Sequence, residues 1–290
     1  MVYKAQSADI LFALRHLAGV SEPWGAGGYP DLEEDVLNAL ILEAGNVAEN
    51  VIAPLNVIGD REGATFSNGA VSLPKGWKGA YQAWVDAGWN GIKADEASGG
   101  QALPHLVWAA TTELWNTANM AFGINPVLTQ GAIEALEHHA SDAIKALYLP
   151  RLVSGEWTGT MNLTEPQAGS DLAAVATRAE RQPDGTYKLF GQKIFITYGE
   201  HELTGNIVHL VLARLSDAPA GTKGISLFLV PKFLVGDDGQ TGARNDVVCA
   251  GIEHKLGIHA SPTCTMVFGE NDGATGYLIG EENRGLACMF

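Results

Sequence analysis

Basic residues are scarce in this 290-residue sequence: 18 Lys and Arg stand against 33 Asp and Glu, a formal charge of −15. No Lys/Arg run could neutralise successive phosphates, so nucleic acid is not an expected partner. A small anionic ligand stays open, because a few local cations or backbone N–H groups bind one against the global sign. Cysteine is scarcer still. Only Cys249, Cys264 and Cys288 occur, an odd number without CxxC spacing, which argues against a disulfide framework or zinc site and favours a reducing, cytoplasmic compartment. Long apolar runs are also missing: Asp9, Arg15 and His16 interrupt the N-terminal stretch "MVYKAQSADILFALRHLAGV", and no membrane insertion is expected. Hydrophobic residues make up 46% and charged residues 18%, enough apolar surface to offset the ordering entropy of one large or two medium domains.

Two periodicities divide the chain. Ile10, Leu11, Leu14 and Leu17 recur at helical spacing, with Ser7 as the expected cap and Gly19 as the stop. A long core helix is expected after Pro30, capped by Asp31 and running to Pro54 with an apolar face that includes Val36, Leu37, Leu40, Ile41, Ala44 and Val47. "GWKGAYQAWVDAG", "PHLVWAATTELWNTAN", "NPVLTQGAIEALEHHA" and "SDAIKALYLPRLVSG" have the same pattern, with Pro104 and Pro126 expected in first turns. After Trp157 short alternating or apolar runs take over: "TYKLFGQKIFIT", "NIVHLVLARL", "GISLFLVP", "DVVCAGIE" and "CTMVFG", separated by turn residues such as "PDG". These periods predict an α+β fold, a mainly helical domain over 1–156 (with an N-terminal extension to about 30) followed by an antiparallel β-barrel over 157–280.

Three clusters carry little. "GAGG", Gly25–Gly28, follows no strand and lacks dinucleotide-site spacing. Adjacent His138 and His139 point to different helix faces and read as a solvated helix end. Glu200, His201 and Glu202 have no second cluster to complete a metal site, and no metal is expected.

The irregular stretch "MNLTEPQAGSDLAA", Met161–Ala174, is different, because a plain connection would not need so many ligand-capable groups. Together with "GQKIFIT" (Gly191–Thr197), "HKLGIHASPTCTMVF", "IGEENRGL" and "ADEASGGQALP" (Ala94–Pro104), it resembles the acyl-CoA dehydrogenase family, in matching order over most of the chain. The N-terminal extension and "APLNVIGDREGATF" look most like its larger members grouped with methylmercaptopropionyl-CoA dehydrogenase.

The resemblance implies FAD as cofactor. Met161 and Leu163 would offer backbone groups to the pyrimidine edge, Thr164 its hydroxyl and N–H, and Ser170 would reach the phosphate region and lie by the bound acyl-CoA. Gly169 and Pro166 would shape the turn, with Ser170 starting the return into strand. Phe195 would lie against the ring where members often carry tryptophan, followed by Ile196, and Thr197 would set its hydroxyl near N5. Tyr198 stands where many members have asparagine. The implied reaction removes an α-proton and a β-hydride from an acyl-CoA thioester, with electrons passed on to an electron-transfer flavoprotein, in a homo-oligomer. In the family the base lies on a C-terminal helical domain; 281–290 read as the start of that domain, which is missing here, and no catalytic residue is assigned within the chain. Glu165 and Asp171 are not promoted to that role. Two alternatives stay open: a non-catalytic interaction or regulatory protein of this family, and an acyl-CoA oxidase or flavin monooxygenase on the same fold.

Overall fold

The computed structural model describes residues 3–20 and 32–290. The Gly25–Gly28 stretch and the expected cap Asp31 lie outside the described residues. The first half is helical: α1 Ser7–Phe12, α2 Glu34–Val47, α3 Pro54–Glu62, α4 Trp77–Asp86, α5 His105–Ala118, α6 Met120–His139 and α7 Asp142–Val153. Single π-turns extend α1 over Ala13–Leu17 and α2 over Ala48–Ile52. Ser7 is the first helical residue rather than the cap, which is Gln6.

Pro126 is seven residues inside α6 rather than in its first turn. The helix starts earlier because the Asn119 side chain accepts from the Phe122 N–H (3.3 Å) and caps it. The helical core is aromatic: Trp84 and Trp89 both meet Trp115 edge-on, with centroids 5.3 and 5.4 Å apart. One hairpin interrupts the helices. β1 Thr65–Ser67 pairs with β2 Ala70–Ser72 around Asn68–Gly69, both at positive φ as a two-residue hairpin turn requires.

The second half holds β3 Trp157–Asn162, β4 Arg178–Arg181, β5 Tyr187–Thr197, β6 Asn206–Leu215, β7 Ile225–Pro231, β8 Phe233–Val235, β9 Thr241–Arg244, β10 Val247–Glu253, β11 Thr263–Phe268 and β12 Ala274–Ile279, then a short α8, Gly285–Met289. Pairing runs β5–β12–β7–β6, and β4 bonds to both β5 and β6, which closes a ring of five strands. β11 and β10 continue from the far half of β5, and β3 flanks β6.

The barrel is mixed, not purely antiparallel as the sequence suggested: β3 and β4 both pair with β6 in parallel. β4, β5 and β6 run up, down and up as consecutive strands, and closing the ring sets the first beside the third. Parallel neighbours follow from closure, without a helical crossover between them.

The halves meet where α6 lies across β3. A Cβ added at Gly159 would stand 2.4 Å from that of Ala132, and the Gly159 N–H donates to the Thr129 hydroxyl at 3.1 Å; only glycine permits this approach. At the other end of the seam buried Tyr198 accepts from the Trp77 indole (3.1 Å) and donates to the Ala121 carbonyl (2.7 Å), tying the end of β5 to α4 and α6. Among the described residues no single helix is long and apolar enough to cross a membrane.

Candidate functional site

A bulge in β5 aims the key side chains. In its register with β11, Lys193 faces Met266 and Ile196 faces Cys264, so Ile194 and Phe195 together oppose Thr265 alone. The inward set of β5 therefore shifts by one: Lys193 is inside before the bulge and Ile196 after it, both buried. Regular alternation from Lys193 would have sent Phe195 and Thr197 into the barrel. The bulge turns them outward, and Phe195 is 48% exposed. Its backbone φ is +59°, strained for a residue with a Cβ. The Lys255 ammonium lies 5.1 Å from the centroid of its ring.

The loop after β3 is fastened beside this bulge. The Ile194 N–H donates to the Thr164 carbonyl at 2.9 Å, which places Thr164 against the residue preceding Phe195, on the same side of the barrel. Glu165 and Ala168 exchange two backbone hydrogen bonds of 3.0 Å around Pro166–Gln167. Gly169 lies past that turn and not at its centre, and it does not adopt a positive φ. Ser170 is exposed and leads into a 3-10 turn, Leu172–Ala174, rather than directly into strand. Asp171 heads that turn, its carboxylate accepting from the Ala173 N–H at 2.9 Å.

Under the loop sits a buried ion pair that the sequence reading left unassigned. Lys193, fully buried, donates to the Glu165 carboxylate at 2.7 Å and to the Leu163 carbonyl at 3.0 Å. Glu165 also accepts from Thr177 Oγ1 (2.6 Å), the Thr177 N–H (3.0 Å), the Ala176 N–H (2.8 Å) and the Gln167 amide. Burial pulls the Lys193 amine down to about 8 even though Glu165 opposes that shift. Burial would raise the Glu165 carboxyl, but the Lys193 charge and the donors from Thr177 and Ala176 outweigh it and hold the group below its ordinary value. Both are charged at pH 7. Gly191, also unassigned, admits Thr177: a Cβ there would meet Thr177 Oγ1 at 2.5 Å. A lysine at an inward position of an alternating strand was the available signal.

Met161 is half-buried against α6, its sulfur 4.0 Å from where a Cβ on Gly131 would stand, and Leu163 packs on the same cluster. The Ile196 side chain is in the barrel core, so only its backbone is available to a ligand. No hydrogen bond within the described residues uses the Thr164 N–H, the Thr164 hydroxyl or the Thr197 hydroxyl. Donors without partners beside an outward aromatic ring fit a flat heterocycle with a polar edge.

His201 and Glu200 belong to the barrel interior. His201 Nδ1 accepts from the Leu203 N–H (3.1 Å) and Nε2 bonds Thr158 (3.0 Å), while Glu200 pairs with Lys232 and, at 3.3 Å, Arg244. His209 shares a 2.8 Å bond with Thr160, which also accepts from Asn162 at 2.8 Å. Burial, helped by the Lys232 charge, pushes both histidines down to about 3.

The acyl-CoA dehydrogenase N-terminal domain matches residues 38–156, and the acyl-CoA dehydrogenase middle domain matches 160–270. The 3-methylmercaptopropionyl-CoA dehydrogenase of Ruegeria pomeroyi is 53% identical over 290 residues, covering 100% of this chain and 49% of that protein. A butyryl-CoA dehydrogenase of Syntrophomonas wolfei is 41% identical, covering 99% of this chain and 49% of its own length. The chain thus spans about half the length of the curated relatives it matches. The crystal structure of an acyl-CoA dehydrogenase complexed with FAD from Bacillus anthracis superposes with a TM-score of 0.70 over 89% of this chain and 39% of that one; at 22% identity this likeness speaks for the fold. The chain belongs to the acyl-CoA dehydrogenase family, of which it carries the N-terminal and middle domains.

Proposed function

We propose that the outer face formed by the β3 end, the Thr164 loop and the β5 bulge holds the isoalloxazine ring of FAD, in a protein that oxidises an acyl-CoA thioester to the enoyl-CoA and hands electrons to an electron-transfer flavoprotein. The observation that carries this is the bulge at Ile194–Phe195, which sets Phe195 and Thr197 outward next to Thr164. Phe195 supplies a flat apolar neighbour for one face of the ring. Backbone groups of Met161, Leu163 and Ile196, with the hydroxyls of Thr164 and Thr197, address its polar edge, and Gly169 and Ser170 lie along the loop toward the phosphates. FAD, when bound, supplies the electron acceptor. The domain division that goes with this reading is 1–156 and 157–280.

The chain's own carboxylates at the loop do other work. Glu165 is ionised, buried and held by Lys193 and the donors of Thr177, Ala176 and Gln167, and Asp171 caps a turn. Neither is assigned as the base that takes the α-proton.

Titrating the chain with FAD and following flavin fluorescence tests the reading: saturable quenching supports it, and fluorescence identical to that of free FAD at all protein concentrations refutes it. A Phe195→Gly variant sharpens the test. It relieves the +59° φ and gains about 1 kcal/mol of stability, while FAD affinity falls about tenfold for loss of the stacking partner. Undiminished affinity would place the ring elsewhere, and lower stability would show that the packing of Phe195 outweighs its backbone strain.

A further inference from the structure

We propose that Lys193 is a positioning residue for the flavin: its buried ammonium fixes and polarises the Leu163–Thr164 peptide, and so tunes the N–H that this peptide offers to the ring. This rests on the FAD reading above. In a trans peptide the C=O and the following N–H point in opposite directions. The Leu163 carbonyl is turned inward onto Lys193 Nζ at 3.0 Å, so the Thr164 N–H points away from the barrel, where no protein group accepts it. A hydrogen bond from an ammonium draws electron density from the carbonyl and makes the N–H of the same amide a stronger donor.

The surroundings bear this out. A buried ion pair is a poor stabiliser compared with apolar residues of the same volume, so loop anchoring alone does not call for charges. Here the anion is gripped by donors from Thr177, Ala176 and Gln167, and the cation is left in contact with the one peptide that joins Leu163 to Thr164. The arrangement fixes a positive charge directly behind the outward N–H.

Reduction adds negative charge to the ring, so a cation behind its polar edge favours the reduced form. Glu165→Gln leaves the ammonium uncompensated and should raise the flavin midpoint potential, whereas Lys193→Met removes the cation and should lower it. A pair that merely ties down the loop predicts shifts of the same sign in both variants, since each loosens the same contacts. Potentials are measured on the FAD-loaded chain at pH 6, where the amine best keeps its proton. Opposite signs are expected; equal signs, or no shift, overturn the tuning role. Amide exchange in the flavin-free protein separates this from the cofactor assignment. Lys193→Met should speed exchange of the Ala176 and Thr177 amides about tenfold as Glu165 lets go, and unchanged exchange overturns the positioning role whether or not FAD binds. A wild-type chain that takes up no FAD fails the cofactor reading alone, and the exchange result still decides the role of Lys193 in the loop.

Discussion

Acidification from pH 7 to pH 5 should remove about 4 kcal/mol of folding stability, well before the carboxylates titrate. His201 and His209 are buried and neutral, with proton affinities pushed from 6.5 to about 3 by burial and, next, by the Lys232 charge; His209 also lies near Arg244, and His201 near His209. Glu200, the anion of this cluster, is already engaged by Lys232 and Arg244. Above pH 6.5 the two rings are neutral in folded and unfolded chains alike, and they add no pH dependence. Below it the unfolded chain binds protons that the folded chain refuses, and stability falls as the pH drops toward 3. Each ring contributes about 1.4 kcal/mol per pH unit, or about 2 kcal/mol by pH 5. Against a typical total of about 5–15 kcal/mol this is a large share. Glu165 acts later: its folded value lies below 4.5, so its contribution is intact above that pH and is lost as pH falls through the depressed value. Urea unfolding at pH 7 and 5 measures the difference. His209→Asn should halve the slope between them, and a flat profile in the wild type would mean that the rings are protonated in the fold.

Cutting the buried ion pair from one side should be the most damaging single change. Glu165→Ala strands the Lys193 ammonium among Thr177, Leu163 and the β5 interior and should cost about 3–5 kcal/mol at pH 7. The cost has a pH signature. The stranded amine sheds its proton in the folded variant at a pH below the wild-type value of about 8, and from that point up to about 8 each pH unit returns about 1.4 kcal/mol relative to the wild type, because the unfolded lysine titrates only near 10.5. Adding Lys193→Met should recover most of the loss, since two neutral partners leave no buried charge. Thermal unfolding of the two variants at pH 6, 7 and 8 reads both effects; a double variant no better than Glu165→Ala would show that packing, not charge, decides.

Much of the fold is written in local periodicity. The apolar faces of α2 and α5 are legible because burial selects one side of a helix, and β6 and β7 because strands buried on both faces read as near-continuous apolar runs. Asn68–Gly69 between short alternating runs is a hairpin signal as well, masked by the helices around it. Pro126 misleads, because the capping Asn119 sets the helix start from outside the apolar pattern. The parallel pairing of β4 with β6 follows from ring closure, and that of β3 with β6 from the flanking place of β3, neither of which a single segment encodes.

At the proposed site, the motifs single out the loop after β3 and the end of β5, and the structure sets Thr164 against the residue preceding Phe195. The bulge is invisible in "GQKIFIT", since an extra residue is defined only against the partner strand β11. Without it, alternation puts Phe195 inside and Ile196 outside, the reverse of their positions. Lys193 stands in the same motif, but its role depends on Glu165, 28 residues earlier in the chain.

Residue-resolved amide exchange with and without FAD tests the location of the flavin most directly. Bound FAD should slow exchange at Leu163, Thr164, Ile196 and Thr197 and leave the barrel interior around His209 unchanged. Protection confined to the helical half, with these amides exchanging as fast as in the free chain, would contradict it.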